Sequence, residues 1–105
     1  MSKSSTTSDL VSNPTPGGVL LREFIEPMKL SQNGLARAIG VPPRRINEIV
    51  LGRRSVTADT DLRLARYFGL SNGFWLGIQA DHDLMERRRL IGAELARIAP
   101  AANAA

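Results

Sequence analysis

Cysteine is absent from the 105 residues. That excludes a disulfide scaffold, a thiolate metal site and a cysteine nucleophile. There is one histidine, His82, which excludes multi-histidine metal sites and leaves little for acid–base chemistry. It lies between Asp81 and Asp83, but adjacent side chains on a helix diverge, so no convergent metal site is expected. No apolar run approaches the ~20 residues of a membrane span. The N-terminus lacks the apolar core of a signal peptide, so the expected compartment is cytoplasmic. No nucleophile–base pair, Gly-rich phosphate loop or spaced carboxylate pair is visible, so no enzyme, cofactor or small-molecule substrate is expected. Neither period-2 alternation nor an internal repeat is found, which leaves one all-α domain.

What the chain does have is helical periodicity broken at regular intervals. Residues 1–14 are rich in Ser and Thr and read as a disordered arm. Pro16-Gly17-Gly18 marks the start of a first helix, with Val19, Leu20, Leu21, Phe24 and Ile25 on one face and Pro27 ending it. Ser31 caps a second helix, about 31–39. Gly34 inside that helix costs about 1 kcal/mol relative to Ala. Pro42-Pro43 opens a third helix, about 42–50, where missing N–H groups do little harm. Thr57 caps a fourth, about 58–68, with Asp59 near its positive end and Leu62, Ala65 and Phe68 facing inward. Ser71 caps a fifth, beginning near Asn72. That last helix carries Trp75, Ile78, Leu84 and Met85, more apolar surface than one small domain needs, and is expected to form a two-fold dimer interface. Phe74 and Trp75 suit either the core or a partner contact. Residues 89–105 read as a helix extension and a flexible tail.

The stretch from Ser31 to Val50 has the spacing of a helix-turn-helix. Leu35, Ile39, Val41, Ile46 and Ile49 supply the inner face. Small Ala36 suits a helix crossing, and Gly40 suits the turn between the two helices. From Ser31 to Val56 five arginines stand against one acid, Glu48, a net +4 that equals the charge of the whole chain. A basic reading helix suits double-stranded DNA. Arg44 is matched to guanine O6 and N7. Asn47, three residues on, shares its face and suits an adenine edge or a phosphate. Arg45 is rotated by about 100° from Arg44 and points to phosphate. Glu48 either accepts from cytosine N4 or orients an arginine. Gln32 and Pro43 begin the two helices and border the DNA face. Arg53, Arg54, Ser55 and Thr57 form a basic loop suited to phosphates, although Arg54 is equally able to pair with Asp59 or Asp61.

At these residues the chain resembles the HigA family of antitoxins, within the phage-repressor-like (Xre/Cro-type) helix-turn-helix proteins. The resemblance covers about residues 15–88. It rests on Pro16-Gly17-Gly18-Val19-Leu20-Leu21, on Pro42-Pro43-Arg44-Arg45-Ile46-Asn47-Glu48-Ile49, on Arg53 to Thr60 and on Phe74-Trp75-Leu76. It implies a five-helix domain over 15–88 with a C-terminal dimerisation helix. It implies a homodimer that represses its own operon. It further implies neutralisation of a co-encoded, ribosome-dependent mRNA-cleaving toxin of the HigB type. A stand-alone Xre-type repressor is the alternative. Because such toxins are basic, the acids Glu23 and Glu26 on the first helix are the expected toxin contact.

Overall fold

The computed structural model describes residues 13–102, and among them the chain forms five helices and no strand. The first, α1 (Pro16–Val19), starts where Thr15 is extended and its hydroxyl accepts the Gly18 N–H at 3.0 Å. It widens at once into a π-helix over Leu20–Ile25, closed by a 2.9 Å bond from the Glu26 N–H to the Leu21 carbonyl five residues back. In this wider register Leu20 and Ile25 both face the core. Pro27 falls in the turn that follows, where it has no helical N–H to lose.

The next two helices are α2 (Gln32–Ile39) and α3 (Pro43–Val50). Ser31 Oγ accepts the Gly34 N–H at 2.9 Å and starts α2. Gly40, at φ 75° and ψ 35°, ends it in the left-handed conformation that a side chain would disfavour. The Val41 N–H then reaches back to the Ala36 carbonyl at 3.0 Å. Pro43 opens α3 and Ile46 and Ile49 anchor it inside.

Thr57 caps α4 (Ala58–Phe68), its hydroxyl accepting the Thr60 N–H. The inner face of α4 differs from the sequence expectation. Leu64 and Ala65 are fully buried with Thr60 and Asp61, whereas Leu62 is 49% exposed. The helix is rotated so that its first turn can place Asp61 inside. There the Asp61 carboxylate caps α5 (Phe74–Leu95). Its Oδ2 accepts the Gly73 N–H at 2.6 Å, and its Oδ1 accepts the Trp75 and Leu76 N–H groups at 2.7 and 3.0 Å. Ser71 is therefore not the cap; only its carbonyl is used, by the Phe74 N–H. An anion at this point faces the positive end of the α5 dipole.

The core joins Leu20, Ile25, Leu35, Ala36, Ile39, Ile46, Ile49, Val56 and Leu64 around Trp75. Trp75 is fully buried, with the Phe24 and Phe74 rings 5.2 and 5.0 Å from it. The sequence reading that gives Trp75 to a dimer interface is thus corrected: the ring has no surface to offer a second copy. Ile78 is half-buried against the same core, while Leu84 and Met85 are exposed. The backbone of α5 leaves helical geometry at Ile91, φ −116° and ψ 17°.

The N-terminal arm expected over residues 1–14 lies, for residues 1–12, outside the described residues. Asn13 is not loose: its side chain donates to the His82 carbonyl at 2.8 Å and to Glu86 Oε2 at 3.0 Å. That hydrogen bond holds the Glu86 carboxyl below its ordinary range. His82 Nδ1 lies 3.0 Å from the Asn13 carbonyl oxygen. Among the described residues no group of acids and histidines is placed to hold a metal, and no helix is long and apolar enough to cross a membrane.

Candidate nucleic-acid interface

The face built by α2, α3 and the loop after α3 gathers most of the expected site residues. Pro42 and Pro43 begin α3 without any free amide to satisfy at its first position, so its outer first turn is left to Arg44. The Arg44 side chain is 82% exposed. Its Nε donates to Glu48 Oε2 at 2.8 Å, one helical turn on. The other Glu48 oxygen, Oε1, accepts from Arg54 Nε at 3.0 Å. One carboxylate thus bridges the first turn of α3 and the loop beyond its end. Arg54 pairs with Glu48, and neither Asp59 nor Asp61 takes it.

The hydrogen bonds from Arg44 and Arg54 hold the Glu48 carboxyl below the usual carboxylate range, and the bond to Glu48 raises Arg44 further. The group therefore stays anionic at neutral pH. Arg44 gives Glu48 only its Nε, which leaves the terminal nitrogens of its exposed guanidinium for another partner.

Asn47 Nδ2 donates to Gln32 Oε1 at 2.7 Å, joining the first residue of α2 to the middle of α3. The two amides link α2 to α3 across the helix-turn-helix. Arg45 turns the other way. Its Nη1 donates to Asp59 Oδ2 at 3.0 Å, and the same oxygen accepts Arg63 Nε at 3.0 Å. Arg63 Nη1 in turn donates to the Ile39 carbonyl, 2.8 Å, at the end of α2. This chain ties α3 to α4 and α2. A pair as exposed as Arg45–Asp59 contributes about 0.2–1 kcal/mol.

Arg53, Ser55 and Thr57 are exposed in the loop after α3, although the Thr57 hydroxyl is already used as the cap of α4. Glu23 and Glu26 are exposed on the first helical segment and make no part of this face. Sequence reasoning missed Asp59 and Arg63 as supports of α3, and Asp61 as the α5 cap. The i, i+4 spacing of Asp59 and Arg63 was an available signal. For Asp61 there was none, because the partner lies in another helix. It also read Gly17 only as part of a helix start. A Cβ on Gly17 would collide with the Ile49 carbonyl oxygen, so this glycine lets α1 lie directly against the back of α3.

A helix-turn-helix family model matches residues 21–72. Virulence-associated protein I of Dichelobacter nodosus is 52% identical over 69 residues, 66% of this chain and 64% of that protein. The chain thus spans less than two thirds of that relative's length. Antitoxin HigA-1 of Vibrio cholerae is 33% identical over 84 residues, 80% of this chain and 79% of its own. Among solved structures, the Pseudomonas aeruginosa antitoxin HigA with the higBA promoter superposes at a TM-score of 0.79 and 33% identity, covering 86% of this chain and 99% of that one.

Proposed function

This chain belongs to the HigA family of antitoxins, within the Xre/Cro-type helix-turn-helix proteins, and on that premise we propose that it represses its own promoter and neutralises a co-encoded toxin. The observation that carries the DNA half is Arg44. It stands on the outer first turn of a helix braced from behind by α1 and α2, with its terminal guanidinium nitrogens open. That edge matches guanine O6 and N7 in the major groove. Asn47 reads or holds the neighbouring position. Arg45, Arg53, Ser55, Thr57, Gln32 and Pro43 border the backbone on either side, and Arg54 lies among them with its Nε held by Glu48. Two copies joined through α5, with Leu84 and Met85 in the contact, present two reading helices to one operator. The exposed carboxylates Glu23 and Glu26 meet the basic toxin.

Binding to a duplex from upstream of its own reading frame, compared with a random duplex of equal length, tests the DNA reading. Arg44→Ala should weaken operator binding by about 1–3 kcal/mol and relax discrimination at one base pair. Arg53→Ala should weaken both duplexes alike and lower the salt slope by about one. Equal losses on both duplexes from both variants would sink this division of roles.

A further inference from the structure

We infer that Glu48 is a specificity-determining positioning residue: it aims Arg44 at a base edge, and it withholds Arg54 from the phosphates of cognate and random DNA alike. The inference rests on the DNA reading above and goes beyond it, because Glu48 need touch no base. Three features carry it.

The first is the bridge itself. Glu48 uses both carboxylate oxygens, one for Arg44 at 2.8 Å and one for Arg54 at 3.0 Å. Neither oxygen is left aimed at a groove on its own. The second is which nitrogen each arginine gives. Both donate through Nε, so the planar fork of Arg44 is anchored at its inner edge and faces outward with its terminal pair. An arginine so held has already lost much of its rotamer freedom before DNA arrives, and the reading contact does not have to supply that ordering. The third is charge. From Ser31 to Val56 Glu48 is the one acid among five arginines. A carboxylate there repels every phosphate that approaches it. A cognate site regains the loss through Arg44; a random site has nothing to regain it with.

Arg54 gives the second half of the device. In the free protein it is held by Glu48, on the edge of the loop that also carries Arg53. Removing the carboxylate releases Arg54 as an additional phosphate contact. Each such contact steepens the salt dependence by about 0.9.

The experiment measures Kd for the operator duplex and for a random duplex across a salt series. The chains are wild type, Glu48→Gln, Glu48→Ala, Arg44→Ala, Arg54→Ala and the double variants that pair Glu48→Gln with each arginine change. Wild type must prefer the operator; without that preference the DNA reading and this inference both fall. Given the preference, Glu48→Gln should tighten random-duplex binding, with a salt slope steeper by about 0.9. It should also lower the operator-to-random ratio by about 2- to 12-fold, the cost of ordering one long side chain on binding. In the Arg44→Ala background the ratio should no longer respond to Glu48→Gln. In the Arg54→Ala background the slope should no longer respond. Melting curves matching wild type keep the comparison free of unfolding, and Glu48→Gln, nearly isosteric, carries the test if Glu48→Ala does not fold. Two results overturn the inference while leaving the DNA reading intact. One is unchanged random binding and an unchanged ratio. The other is a ratio change that persists without Arg44, which makes Glu48 a direct base reader.

Discussion

At the scale of single residues, the most consequential group is one that touches no DNA. Asp61 is 1% exposed and spends its carboxylate on three N–H groups at the start of α5. Those N–H groups have no intrahelical partner, and a buried helix end without acceptors is costly. Asp61→Asn leaves one acceptor oxygen and turns an amide donor toward another donor. We expect a loss of about 2 kcal/mol. For a domain of this size that is a fall in Tm of roughly 8–16 °C. Calorimetry on the variant checks it, and a Tm within 2 °C of wild type would show that α5 is capped by other means. Gly17 acts at the same scale. It is the absence of a side chain that sets how closely α1 approaches α3, and so how firmly the reading helix is backed.

At the scale of elements, α5 divides into two parts. Its first turns are held by Asp61, Trp75 and half-buried Ile78. Beyond them Leu84, Met85, Leu90 and Leu95 are exposed, 63%, 42%, 72% and 43%. One short reading helix covers only a few base pairs, so specificity calls for a pair of them about 34 Å apart. The exposed half of α5 is the apolar surface that a second copy can cover. A Leu84→Glu, Met85→Glu double variant should remain folded, since neither residue is in the core. Light scattering at micromolar concentration should show wild type as a dimer and the variant as a monomer, with operator binding weakened more than tenfold. A monomeric wild type that binds its operator fully would count against this role for α5.

At the scale of the whole molecule, charge is partitioned. The segment from Ser31 to Val56 carries a net +4, so the remainder of the chain sums to zero. Exposed Glu23 and Glu26 lie outside that basic segment. Charge complementarity at such a place speeds encounter and fixes orientation more than it sets affinity. Co-expression with the product of the adjacent reading frame should relieve the growth arrest that product causes. A Glu23→Lys, Glu26→Lys variant should slow toxin association several-fold in stopped-flow measurements and leave operator affinity as in wild type. If no adjacent product is toxic, the stand-alone repressor is the reading that survives.

The number of helices, their caps at Ser31 and Thr57, the left-handed turn at Gly40 and the basic character of α3 are legible in the chain. Each of these depends on residues within a few positions of one another, where propensity, capping and periodicity act directly. Tertiary structure alone decided which acids and arginines meet. Arg45 pairs with Asp59, Arg54 with Glu48, and Asp61 caps a helix that begins at Phe74, well beyond its own. It also decided that α4 turns Leu64 inward in place of Leu62, and that Trp75 belongs to the core. The physical reason is common to all of these. A side chain's partner across a helix–helix contact is set by the rotation and approach of both helices, and those follow from close packing of the entire core. A collision as local as a Cβ on Gly17 against the Ile49 carbonyl has no trace in the run Pro16-Gly17-Gly18.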